Sequence, residues 1–276
     1  GGQAENPGSE AEEKTLRAVY NSPVAIKATP PSCHLPAPRP MPYQRDTLYD
    51  TPQSVVDFRF DERTAAVFPD MIHRSVPGYA ALLQLFAVIG AGFVREGGHV
   101  YDLGCALGGA SIALQRHIPQ SATIDAVDNA EAMTRRLAAY VEGAGIRNIR
   151  VQQADITALD YASADLIIMA FTLQFIPPQA RAALLTRLRQ TLRPGGALLL
   201  AEKTRPDDDR LRQWHEAFKA VQGYSQMAIA QKRESLERVM QTDRAATLEH
   251  RLQQAGFTRI EPCFRALQFC GWVASV

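Results

Sequence analysis

Cysteine is scarce, with four in 276 residues: Cys33, Cys105, Cys263 and Cys270. None stands in a C-x-x-C pair and no His/Cys group has metal-ligand spacing. A disulfide framework and a metal centre are therefore not expected. No apolar run approaches the ~20 residues that a membrane-spanning helix needs. The longest, such as 197–201, is of strand length. Charge of one sign is not in excess either, because 30 Lys+Arg face 29 Asp+Glu. A dedicated nucleic-acid binder carries a basic face, so no direct nucleic-acid contact is expected. A small anion held by one or two arginines stays compatible with that balance. The first residues lack the basic start and apolar centre of a signal peptide, and a reducing, cytoplasmic setting away from membranes is the expectation.

What is present is enough apolar matter for a core: 46% hydrophobic against 21% charged residues. Residues 1–45 differ from the rest. The stretch from Ala28 to Pro42 is dense in proline and has neither helical nor strand period, so 1–45 is expected to be a disordered extension. Met41 is a candidate start. Residues 46–276 fit one α/β domain. Within it, strands are expected at 99–104, 122–128, 149–155, 165–171 and 197–201, alternating with helices at 110–117, 130–142 and 179–192. Pro194-Gly195-Gly196 is expected to stop the last of these. That alternation predicts a mostly parallel sheet with helices on both faces and further helices after strand five. After a helix at 247–254, the segments 258–265 and 266–276 read as two tightly joined and therefore antiparallel strands, giving seven in all. This is the layout of Rossmann-like class I methyltransferases.

Ligands of open α/β sheets sit at the carboxyl ends of strands. The first strand runs into Gly104-Cys105-Ala106-Leu107-Gly108-Gly109, where glycine allows close backbone approach or simply a tight turn. Neither G-x-G-x-x-G nor a P-loop is present, which disfavours a pyrophosphate cofactor. Asp128 closes the second strand, where an acid can accept ribose hydroxyls or cap the following helix; Asn129 adjoins it. Asp155 ends the third, able to accept an adenine amino group while Ile156 covers the ring, or again to cap a helix. One nucleoside could touch all three strand ends. Cys105 reads as a small turn residue and His215 as a helix-surface residue.

Arg233 breaks a pattern. In a helix expected over 225–240 it shares a face with Ile229, Leu236 and Met240. A guanidinium there calls for an anion: it snorkels, pairs with Glu237, or clamps a carboxylate.

Several segments together resemble the carboxy-S-adenosyl-L-methionine synthases. They are 60–63 (Phe-Asp-Glu-Arg), 67–71 (Val-Phe-Pro-Asp-Met), 74–79 (Arg-Ser-Val-Pro-Gly-Tyr), 101–105 (Tyr-Asp-Leu-Gly-Cys), 171–175 (Phe-Thr-Leu-Gln-Phe), 194–198 (Pro-Gly-Gly-Ala-Leu), 223–225 (Gly-Tyr-Ser) and 231–233 (Gln-Lys-Arg). The resemblance runs from about residue 43 to the end. It implies conversion of S-adenosyl-L-methionine and prephenate to carboxy-S-adenosyl-L-methionine and phenylpyruvate, for modification of the transfer RNA wobble uridine. It also implies no metal, and a homodimer. It places Tyr79 in the cofactor pocket, Gly104, Cys105 and Ala106 beneath it, Asp128 and Asn129 at ribose, and Asp155 and Ile156 at adenine. Arg233 would clamp the new carboxylate, reaching from a second subunit. The family has Asn where this chain has Ala170, and no counterpart of the proline-rich extension. Two alternatives remain: an ordinary methyltransferase of a small acid, and a non-catalytic nucleoside-binding protein.

Overall fold

A computed structural model describes residues 41–54 and 56–276. Most of the proline-rich extension lies outside the described residues. In the part of it that is described, the Gln44 amide donates to the Ala66 carbonyl at 2.9 Å. The elements, in chain order, are α1 (Glu62–Ser75), α2 (Tyr79–Ala91), β1 (His99–Leu103), α3 (Gly109–Leu114), β2 (Thr123–Asp128), α4 (Glu131–Gly143), β3 (Ile149–Gln153) and β4 (Ala164–Ala170). A single 3₁₀ turn at Leu173–Phe175 precedes α5 (Pro178–Thr191) and β5 (Leu192–Lys203). Three helices follow, α6 (Asp209–Val221), α7 (Gln226–Leu236) and α8 (Ala245–Gln254), before β6 (Arg259–Ala266) and β7 (Phe269–Ser275).

The seven strands form one sheet in the order β3-β2-β1-β4-β5-β7-β6. Pairings among the first five are parallel, whereas β7 runs antiparallel to both β5 and β6. β7 alone opposes the rest, because reversing twice restores the direction of β6. Burial follows from composition. Every residue of β4 from Ala164 to Met169 is buried, as a parallel strand covered on both faces requires. Leu82, Phe86, Leu114 and Leu137 pack on one face of the sheet, and Leu184, Leu185, Leu188, Leu252 and Trp272 on the other.

Several boundaries differ from the pattern reading: β3 stops at Gln153, two residues short of Asp155, and α3 stops at Leu114 rather than at 117. Pro194-Gly195-Gly196 does not separate α5 from β5. The strand begins at Leu192 and absorbs the glycines at a register shift against Ala164 and Leu166, with Gly195 at φ 80. The helix expected over 225–240 is α7, which ends at Leu236. Periodicity in the sequence had not delimited α1, α2 or α6.

From β1 the chain steps one way to β2 and β3, then returns to the other side of β1 as β4 and β5. The resulting crevice opens beyond the carboxyl ends of β1 and β4, where open α/β sheets bind ligands.

Candidate active site

A pocket fills that crevice. Its floor is the turn after β1. Gly104 holds φ +74, and a Cβ there would come within 2.3 Å of the Thr172 side chain, so glycine is required. Thr172 is itself fixed, its Oγ1 donating to the Leu103 carbonyl at 2.8 Å. Two lining residues, Ala106 (φ 47) and Phe171 (φ 63), take left-handed backbone without being glycine. Strain of this kind survives only where the surroundings impose it, commonly at ligand sites.

Carboxylates line the pocket from β1 and β2. Asp102 is buried, and its Oδ2 accepts from the Ser111 amide at 3.1 Å and the Ser111 hydroxyl at 2.6 Å. Burial pushes its carboxyl up to about 6 against those bonds, with the charge of Asp128 adding to the rise. Asp128 accepts from the Ala106 amide at 2.8 Å through Oδ2 and from the Ala130 amide at 2.9 Å through Oδ1. Burial again raises it, while backbone donors pull it down. The bond to the Ala130 amide is a local turn and not the helix cap considered for Asp128, because the cap position of α4 is Ala130 and carries no side-chain cap bond, and each oxygen keeps a lone pair for a further donor. Asp155 also lines the pocket, and its Oδ1 accepts from the Thr157 amide and hydroxyl, both at 2.8 Å.

Apolar side chains close the remainder. Phe58, Phe60, Phe68, Phe171, Phe175 and Phe269 line the cavity with Tyr79, Ile156 and Ile176. Phe60 meets Phe175 edge-on at 5.3 Å, and the Phe58 amide donates to the Ser235 carbonyl at 2.9 Å. That bond ties the segment before α1, as a strap lining the pocket, to α7. Burial raises the Tyr79 hydroxyl and the Cys105 thiol well above their ordinary values, so neither is a ready base or nucleophile.

Of the residues singled out from sequence, Tyr79, Gly104, Cys105, Ala106, Asp128, Asn129, Asp155, Ile156 and Ala170 all line this one pocket. Arg233 does not. Its side chain is 57% exposed and its Nη1 bonds Glu216 Oε1 at 2.7 Å. The face assigned to it was wrong for a geometric reason. The buried face of α7 holds Ala228, Ile229, Gln231, Lys232 and Ser235, and Arg233 sits about 100° further round than Lys232. His215 also departs from expectation, being buried at the pocket wall. Its Nε2 donates to the Ser75 carbonyl at 2.7 Å and its Nδ1 accepts from Gln268 at 3.1 Å. Both nitrogens are engaged in the neutral form, and burial takes the imidazole down to about 3.

A methyltransferase-domain family model matches residues 100–196. The carboxy-S-adenosyl-L-methionine synthase of Dichelobacter nodosus is 58% identical over 230 residues, covering 83% of this chain and 97% of that protein. The enzyme of the same name from Stutzerimonas stutzeri is 44% identical over 245 residues, covering 85% and 99%. The chain belongs to the carboxy-S-adenosyl-L-methionine synthase family. Solved structures agree on the fold. A putative S-adenosylmethionine-dependent methyltransferase from Methanococcus maripaludis superposes with TM-score 0.56 at 18% identity, covering 81% of this chain and 97% of that one. Human N-acetylserotonin methyltransferase gives 0.52 at 18% identity, covering 78% and 55%. S-adenosylmethionine chemistry in a class I methyltransferase fold therefore frames the site.

Sequence reasoning did not assign to the site four ionisable residues that this synthase-family pocket contains: Asp102, Lys203, His215 and Lys232. A signal existed for two of them. Asp102 interrupts the apolar strand His99–Leu103, and Lys203 stands two residues beyond the apolar run 197–201. Nothing in the sequence distinguished Lys232 from Arg233. Among the described residues, no group of three His, Cys, Asp or Glu is placed to hold a metal ion. No single described helix is long and apolar enough to cross a membrane.

Proposed function

We propose that the chain converts S-adenosyl-L-methionine and prephenate to carboxy-S-adenosyl-L-methionine and phenylpyruvate, supplying the carboxymethyl donor for transfer RNA wobble-uridine modification. The observation that carries this reading, beside family membership, is a largely apolar pocket whose imidazole, thiol and two strand-borne carboxylates are all engaged or protonated. His215 has both nitrogens engaged, Asp102 and Asp128 are held by amide donors, and the Cys105 thiol stays protonated. A methyltransferase that activates an acceptor by proton abstraction needs such a base within reach. Ylide chemistry does not, because the second substrate brings its own.

S-adenosylmethionine is a substrate here, since it leaves carrying an extra carboxyl group. Prephenate dianion becomes aromatic by losing carbon dioxide and hydroxide, leaving phenylpyruvate monoanion. Hydroxide removes a proton from the sulfonium methyl, giving water, and the carbanion formed attacks carbon dioxide to make the new carbon–carbon bond. Charge and atoms balance with no external oxidant or base. The residues supply placement and dryness. Asp128 and Asn129 hold the ribose hydroxyls. Asp155 and Ile156 take the adenine amino group and ring. Gly104, Cys105 and Ala106 pass beneath the nucleoside, with Tyr79 and Ala170 on its wall. The Phe58–Phe60 strap keeps water from the carbanion, which would otherwise be reprotonated.

Arg233 acts from a second subunit. In its own chain it faces outward, beside an exposed apolar stripe on α6 formed by Trp214, Ala217 and Val221 at helical spacing. A homodimer built on that stripe carries the guanidinium to the partner's pocket as a carboxylate clamp. Such a protein is a soluble cytoplasmic enzyme that hands its product on and makes no direct contact with nucleic acid. Mass spectrometry of the ligand released from purified protein is expected to reveal a species one carbon dioxide heavier than S-adenosylmethionine. Recovery of only the uncarboxylated nucleoside, even after incubation with prephenate, rejects the reading. Arg233→Ala is expected to lose preference for the carboxylated ligand while keeping affinity for S-adenosylmethionine.

A further inference from the structure

The end of the pocket remote from Asp128 and Asp155 is cationic. Lys203 is the last residue of β5, three strands from β2, which is roughly 14 Å away at the usual strand spacing. Its backbone amide donates to Gln174 Oε1 at 3.1 Å, and its side chain lines the cavity. Among the described residues no hydrogen bond or ion pair reaches its Nζ. The acid that acts on it, Glu216, is already bonded to Arg233 at 2.7 Å and Arg212 at 3.5 Å. Lys232 enters from α7, with Nζ 3.0 Å from Ser75 Oγ and 3.5 Å from Asp46 Oδ2. His215, bonded to the carbonyl of the same Ser75, stands beside it as a neutral wall. Lys219 lies one turn beyond His215 on the same face of α6, is buried, and no hydrogen bond or ion pair among the described residues reaches its Nζ.

We propose that Lys203 is the direct contact for a carboxylate of the second, dianionic substrate, with Lys219 and Lys232 supplying the field of a carboxylate-receiving subsite at this end of the pocket. The proposal rests on the function assigned above and adds where the second substrate sits and what recognises it. Two largely buried ammonium groups without a counter-ion are unfavourable in the free protein. Burial, and repulsion from Lys232 and Lys203, bring Lys219 down to about 7, and burial lowers Lys203 in the same sense. An entering dicarboxylate removes that frustration, whereas a neutral or monocationic ligand does not. The subsite therefore selects for charge, and it spans the pocket from the nucleoside end. A dianion gripped there releases carbon dioxide inside the aromatic enclosure rather than into water.

The test is calorimetric binding of prephenate to the full chain saturated with S-adenosylhomocysteine, which cannot react, so that binding is read apart from turnover. Wild type is expected to bind, Lys203→Met to bind at least tenfold more weakly, and Lys203→Arg to recover part of the loss. S-adenosylmethionine and carboxy-S-adenosylmethionine are expected to bind Lys203→Met as they bind wild type. The melting temperature of the ligand-free variant should be equal or higher, since an unpartnered charge is removed. Equal prephenate affinity in Lys203→Met overturns the proposal, as does absence of prephenate binding to wild type. Loss of carboxy-S-adenosylmethionine affinity in step with prephenate also overturns it, because the lysine would then grip the product. Wild type that binds prephenate through Lys203 yet forms no carboxylated product refutes the function proposed above and leaves the subsite standing.

Discussion

Asp102 is a pocket carboxylate whose charge state is set mainly by its burial. Burial has raised it from an ordinary value of 3.8 to about 6. In the free protein the native state holds this proton more tightly than the unfolded chain. The resulting stability is present below 3.8 and lost as pH rises through about 6. Binding a sulfonium nucleoside runs the other way, because the ionised carboxylate attracts the cation. Affinity for S-adenosylmethionine is expected to fall about tenfold between pH 7 and pH 5, tracking the ionised fraction. Asp102→Asn should bind weakly and without that slope. Calorimetry at three pH values checks this, and a flat wild-type profile would remove Asp102 from contact with the ligand. At this scale the sequence was legible where position fixed role. Asp128 closes β2, Asp155 follows β3 by two residues, and the strand ends converge on one crevice. It was illegible where role depended on orientation. Lys232 and Arg233 are neighbours, each spaced to meet Ile229 and Leu236, and only the settled rotation of α7 sends the lysine inward and the arginine out.

Among the elements, the turn joining β1 to α3 is the most constrained. Gly104 must hold φ +74 while its Cα hydrogens face the Thr172 side chain at the end of β4. Gly104→Ala adds a left-handed conformation costing about 1–2 kcal/mol and a methyl group with no room. Urea denaturation is expected to register a loss of stability beyond that conformational cost, together with weakened nucleoside binding. Adding Thr172→Ala to the variant should return part of the steric share and none of the conformational share. An alanine variant as stable as wild type would mean that β1 and β4 can separate at their tips. The glycine was visible in the sequence, and its reason was not, because the obstruction comes from a residue 68 positions later, in the turn that follows a different strand. The same holds for the strap at Phe58–Phe60, whose pairing with Ser235 joins distant parts of the chain.

For the whole molecule, alternation of strand and helix patterns was enough to give a parallel sheet with an antiparallel end. The insertion of β7 between β5 and β6 was not readable, since adjacency of strands is a matter of partner choice rather than of local pattern. Val221 is 84% exposed and Trp214 54%, on the helix whose Glu216 holds Arg233. Replacing both by Asp is expected to turn a dimer into a monomer by light scattering. The monomer should retain S-adenosylmethionine binding through Asp128 and lose discrimination in favour of the carboxylated ligand. A monomeric wild type with full discrimination would reject the cross-subunit role of Arg233.

The position of β7 also bears on how the protein is made. A nascent chain emerging through residue 266 has completed β6, yet β6 has nothing to pair with, because the strand destined to lie between it and β5 follows it in translation. Until 269–275 arrives, two bare edges face water, one of them the apolar run 197–201 that ends as a fully covered interior strand. Synthesis halted in that interval leaves a sticky intermediate rather than a slightly shortened enzyme.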